Sequence, residues 1–155
     1  MDNFSTGWRG ILAASDGDVE VFGGDVRSYE RAHNAVKGRD HVIHLAAPPW
    51  VPRSMWDPLT RRAVNVTGTL ITLLAARDTA ARRVVLASSS SIYGFSETTP
   101  KHEDVAPEPS SPSAVSKLAA EQCARAFWAV YGLETVSLAT STYTARTNVS
   151  TPTAT

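Results

Sequence analysis

The sequence predicts an α/β protein built on a parallel sheet. Three observations carry this. Short apolar runs rich in β-branched residues, such as Val84-Val85-Leu86, alternate with longer segments of helical periodicity. Each run ends in small or polar residues, as strand tips do in such sheets. Alternation of strand and helix implies right-handed crossovers between parallel strands.

Taken in order, Asp2-Asn3-Phe4-Ser5-Thr6-Gly7 is rich in turn formers. Val19-Glu20-Val21-Phe22 is a first strand, stopped by Gly23-Gly24-Asp25. A helix follows from Tyr29 to Val36, closed by Gly38. His41 to Ala47 is a second strand, ended by Pro48-Pro49. After a loop through Trp50 and Trp56, Asp57 is the expected N-cap of a helix with Pro58 at its first position. Leu59, Ala63, Val66, Leu70, Leu73 and Leu74 are expected to form the stripe that this helix lays on the sheet. Arg83 to Ala87 is a third strand, followed by Ser88-Ser89-Ser90-Ser91. A Pro- and acid-rich loop spans Thr98 to Ser111. The next helix should bury Val115, Leu118, Ala119, Cys123, Ala126, Phe127 and Val130, and end at Gly132. Glu134 to Leu138 is a fourth strand. Ala139 to Thr155 is a Thr/Ala/Ser-rich tail without periodicity.

The chain has 155 residues, sufficient for one domain with a core, and no internal repeat or linker divides it. Fifteen basic and fifteen acidic residues cancel, so no electrostatic footprint for nucleic acid is present. No apolar run reaches membrane-spanning length. With Cys123 alone, no internal disulfide can form, and a cytoplasmic setting without a signal peptide is the expectation.

Candidate chemistry sits at the strand ends: Gly24-Asp25, Ala46-Ala47 and Ser88 to Ser91, with Lys117 one turn into the last helix. Singly, each has an ordinary explanation as a turn, a cap or a solvated lysine. His44 in its apolar strand reads as a packed histidine, and Trp50 and Trp56 as loop anchors.

The motifs D-N-F-S-T-G at Asp2, G-G-D-V at Gly23, H-L-A-A at His44, S-M-W-D-P at Ser54, N-V-T-G-T at Asn65, S-S-S-S-I-Y-G at Ser88 and S-P-S-A-V-S-K-L-A-A-E at Ser111 stand in one order. In them the chain resembles the extended short-chain dehydrogenase/reductase family, the NAD-dependent sugar-nucleotide epimerases and dehydratases. The resemblance implies a Rossmann-like, doubly wound parallel sheet, with NAD as cofactor and a nucleotide sugar as substrate. It implies that Asp2 and Asn3 lie at the adenosine ribose, and Asp25 and Val26 at adenine. Ala46 and Ala47 would line the cofactor path, and Asn65 would support the central strand and helix. Ser89 would bind the reacting sugar hydroxyl, and Lys117 the nicotinamide ribose. Dimerisation through the helices near 58–76 and 112–131 is also implied. Ser90 and Ser91 follow Ser89 where dehydratases carry an Asp-Glu pair, which favours an epimerase.

The sequence departs from the family in three places. Ser113 stands where the family has the tyrosine that accepts the sugar proton, so a catalytically impaired enzyme, or a non-catalytic pseudoenzyme or interaction module, is expected. Tyr93 is a distant substitute. The opening strand and its glycine-rich phosphate turn have no counterpart, so the Rossmann-like sheet should be incomplete, with residues 1–138 a partial NAD-binding domain. The tail at 139–155 replaces the family's continuation, as a one-base frameshift near Leu138 would do.

Overall fold

The computed structural model describes residues 1–5, 10, 19–48 and 57–140. Its centre is a three-stranded parallel sheet, β1 (His41–His44), β2 (Arg83–Ala87) and β3 (Glu134–Leu138), in the order β1-β2-β3. Ile43 stands beside Val85, and Val85 beside Val136. Between strands run α1 (Tyr29–Val36), α2 (Pro58–Arg62), a π-helical stretch (Ala63–Gly68) that leads into α3 (Thr69–Asp78), and α4 (Pro112–Tyr131).

Local chemistry sets the helix ends. The Ser28 side chain accepts from Arg31 N, Asp57 Oδ1 from Thr60 N at 3.0 Å, and Ser111 Oγ from Ala114 N at 3.1 Å. Each satisfies a donor that the first turn leaves unpaired. Pro58 and Pro112 begin α2 and α4, where their lack of an N–H does no harm. Gly132 ends α4 at φ +68°, a left-handed position that suits glycine.

The described helices lie on one side of the sheet. α1 touches α3, α3 touches α4, and α3 and α4 touch the strands. Between the layers sit Val36, Leu73, Ala76, Val84, Leu86, Ala124, Phe127 and Leu133. Strand side chains alternate in direction. Val84 and Leu86 therefore enter this core, while Ile43, 69% exposed, and Val136 point the other way.

Three expectations need correction. Val19–Phe22 is not a strand; its segment contributes a single parallel bridge, Gly23 with Asp2. The second strand stops at His44, not Ala47. The helical stripes are also displaced. Leu59 is 75% exposed, whereas Asn65, Thr69, Thr72, Leu73 and Ala76 are buried. In α4, Val115 and Val130 face solvent, and Ser113, Ala114, Ser116, Ala120 and Ala124 are buried. Small side chains let this helix approach closely, so size outweighed hydropathy in choosing the buried face. The loop with Trp50 and Trp56 and the tail beyond Thr140 lie outside the described residues.

Candidate functional site

At the carboxyl end of β2 the chain turns into Ser88–Ser91 and then a 3₁₀ turn, Ser90–Tyr93. Ser89 caps that turn. Its Oγ accepts from Ser91 N at 3.2 Å and lies 2.9 Å from Ser91 Oγ, which donates to it. Lys117, one turn into α4, reaches back to the strand and donates from Nζ to the Ala87 carbonyl at 2.6 Å. Burial holds the Lys117 pKa below its ordinary value, and the Arg61 charge lowers it further, against an opposing pull from Glu121. Strand tip and helix start thus meet, as their sequence order led us to expect.

Ser113 is buried one turn before Lys117. Its Oγ accepts from Arg61 Nη1 at 3.3 Å. Arg61 is itself buried, and burial lowers its pKa. A chain of hydrogen bonds continues inward. Ser116 Oγ donates to the Ser113 carbonyl at 2.7 Å and accepts from Asn65 Nδ2 at 2.8 Å. Thr69 Oγ1 donates to the Asn65 carbonyl at 2.6 Å. With its proton so used, Thr69 Oγ1 accepts from His44 Nε2 at 3.0 Å. His44 is therefore a packed, neutral histidine; burial, followed by the Lys117 charge, depresses its pKa to about 4.

The π-helical stretch positions Asn65 in this chain. Gly68 in the same stretch admits Val26, whose Cγ2 would lie 2.6 Å from a Cβ there. Asn65 Oδ1 and Ser88 Oγ are buried without a partner in the protein. Both residues line a cavity of about 10 Å³ with His44, Thr69 and Lys117, a space suited to one water molecule.

The other expected residues gather around a larger, open cavity of about 750 Å³. Asp2, Asn3, Asp25, Val26, Ala46 and Ala47 all line it. Asp25 is heavily engaged: Arg27 donates to it from Nε at 2.8 Å and Nη2 at 2.7 Å, and Asn3 Nδ2 at 3.2 Å. The Arg27 guanidinium holds the Asp25 carboxyl well below the usual range. Tyr93 is buried, and its phenol pKa is raised by that burial and by Glu121 and Glu103, opposite to what a base near neutral pH needs. Among the described residues no cluster suited to a metal ion occurs, and no helix is long and apolar enough to cross a membrane.

Comparisons with known proteins give the family. The GDP-mannose 4,6 dehydratase family model matches residues 3–153. The chain belongs to the extended short-chain dehydrogenase/reductase family of sugar-nucleotide epimerases and dehydratases. It is 32% identical over 140 residues to UDP-glucose 4-epimerase of Azospirillum brasilense, covering 89% of this chain and 39% of that protein. The Lacticaseibacillus casei UDP-glucose 4-epimerase is 34% identical over 141 residues, covering 89% and 41%. Among solved structures, the Thermus thermophilus UDP-glucose 4-epimerase complex with NAD matches with a TM-score of 0.80 at 35% identity, over 89% of this chain and 45% of the other. The chain thus spans about two-fifths of the length of the curated relatives it matches. Arg61, Thr69 and Ser116 are given no role by the sequence reading, although Thr69 and Ser116 fall within its motifs. Two adjacent arginines and scattered hydroxyls in helices gave no signal of burial.

Proposed function

We propose that this chain carries the NAD-holding and sugar-hydroxyl-holding corner of a nucleotide-sugar epimerase of the UDP-glucose 4-epimerase type, and that Ser113 makes it a poor catalyst. The observation that carries the reading is the meeting of Lys117 with the β2 tip, directly before Ser88–Ser91. The residues that line the open cavity suit the adenosine end of the cofactor. Small side chains at Ala46 and Ala47 line an open cavity that Asp2, Asn3 and Val26 also line. Asp2 and Asn3 would hold the adenosine ribose, Asp25 and Val26 the adenine, and Lys117 the nicotinamide ribose. Asp25 would act chiefly through backbone and packing, because Arg27 occupies its carboxylate.

Bound NAD would supply the acceptor for hydride from a sugar carbon. The chain's own part is to orient the sugar hydroxyl on Ser89 and remove its proton. At position 113 only an alcohol is available, and Arg61 points a donor at it. A serine hydroxyl is a far weaker acid than a phenol, so the proton lacks a resting base. Absence of a positioned base typically costs ~10²–10⁴ in rate. Ser113→Tyr, assayed for UDP-glucose to UDP-galactose conversion with saturating NAD, should gain a factor of that order. Equal rates for both proteins would reject the impairment.

A second reading is a non-catalytic interaction module, including a homodimer. It is favoured by large apolar side chains on the outer sides of the long helices: Leu59, Val115, Trp128 at 56% exposure and Val130 at 69%. If the folded chain binds no NAD in calorimetry but sediments as a dimer, this reading replaces the first. Residues 139–155 are proposed to be a frameshifted tail without a part in either reading; codons that cannot yield the family's continuation would refute that.

A further inference from the structure

Gly68 stands where the backbone does not ask for glycine. Its φ of −62° and ψ of −40° are ordinary right-handed helix, and there alanine is the better helix former. The reason for a glycine lies across from it. A Cβ at position 68 would stand 2.6 Å from Val26 Cγ2 and 3.4 Å from Val26 Cβ. Carbon atoms in contact stand about 3.5–4.0 Å apart, so an alanine here would displace that methyl by roughly 1 Å. Val64 and Thr72, four residues before and after Gly68, both line the 750 Å³ cavity, and so does Val26. The helix thus has a gap in its cavity-lining row, and the Val26 side chain fills it.

The segment that carries Val26 is braced. Ser28 N donates to the Asp25 carbonyl at 3.0 Å, and Arg27 N donates to Asp25 Oδ1 at 2.9 Å. Two further bonds from the Arg27 guanidinium and one from Asn3 Nδ2 hold the same carboxylate. Ser28 in turn caps α1. A push on Val26 is therefore passed to the whole turn from Asp25 to Ser28.

We propose that Gly68 is a positioning residue for the adenine of the cofactor: by admitting Val26 against the helix backbone, it sets how far the Asp25–Ser28 turn stands into the cavity. This rests on the cofactor reading above, in which Asp25 and Val26 flank the adenine. Gly68 acts through Val26, and the missing side chain fixes the depth of the adenine subsite.

The test is calorimetric titration of the full chain with AMP, a probe that carries the adenine without the nicotinamide half. Gly68→Ala should weaken AMP binding about tenfold or more with an unchanged circular dichroism spectrum. In a Val26→Ala background the obstructing methyl is gone, and the same Gly68→Ala change should alter the affinity by less than about threefold. Amide resonances of Arg27 and Ser28 should shift in Gly68→Ala while those of β3 stay in place. Should Gly68→Ala not fold alone, the double variant decides. A folded double variant with the AMP affinity of Val26→Ala supports the proposal; one that stays unfolded, or loses about a further tenfold, overturns it. A folded Gly68→Ala with unshifted Arg27 and Ser28 amides, or with undiminished AMP affinity, rejects the proposal alone. If the unsubstituted chain binds neither AMP nor NAD, the cofactor reading falls and this proposal falls with it.

Discussion

The two faces of the sheet carry similar side chains and have different fates. On one face, Val84 and Leu86 are buried beneath α3 and α4 with Leu73 and Phe127. On the other, Ile43, Val85 and Val136 form a row across all three strands in matching register, yet Ile43 is largely exposed and Val136 is 39% exposed. Parallel sheets are ordinarily covered on both sides, and their strands are apolar throughout. The comparison teaches that strand composition records the capacity for burial, while the packed layer decides where that capacity contributes stability.

Substitutions on the two faces should separate these effects. The largest is expected from Leu73→Ala, which opens a cavity at a fully buried site. It should destabilise the chain by about 2–5 kcal/mol in urea unfolding. An effect under about 1 kcal/mol would mean that the covered face is not the core.

The next is a pH effect confined to the covered face. The folded-state pKa of His44 is lowered from 6.5 to about 4, so the unfolded chain binds the proton more readily. This contribution to stability is complete above about pH 6.5 and is lost as pH falls towards 4. The two values correspond to a loss of order 3 kcal/mol at most. Urea midpoints measured from about pH 7 to about pH 4.5 should fall, and His44→Gln should flatten that part of the curve. A wild-type midpoint that holds steady would disprove the assignment.

The smallest change is expected on the bare face. Val136→Lys should shift stability by no more than about 0.5 kcal/mol, because no layer covers it among the described residues. A loss of about 2 kcal/mol would show that this face is covered in solution, and would erase the contrast.

Element identity was legible where it depends on local chemistry. Asp57-Pro58, Gly38 and Gly132 fixed helix ends because capping and left-handed turns involve neighbouring residues only. The meeting of Ser88–Ser91 with Lys117 was likewise readable from strand-helix order and from motif resemblance. Other features depend on partners distant in sequence. Val19–Phe22 has β-forming residues, but a strand requires a paired neighbour, and among the described residues the segment obtains just the Asp2–Gly23 bridge with its flanking hydrogen bonds. The outward turn of Val115 and Val130 reflects the close fit of Ala120 and Ala124, which hydropathy undervalues. Arg61 beside Ser113 spans two helices, a relation that no local pattern encodes.

The widened turn at Ala63–Gly68 has a mechanical consequence. A π turn accommodates an extra residue, and each residue of an α-helix advances the azimuth by about 100°. The segment therefore works as an angular offset between the two ends of one rod. Leu73 can key into the interior on one bearing while Arg61 is aimed at position 113 on another, so the reach of that guanidinium is set by helix phase rather than by side-chain length alone.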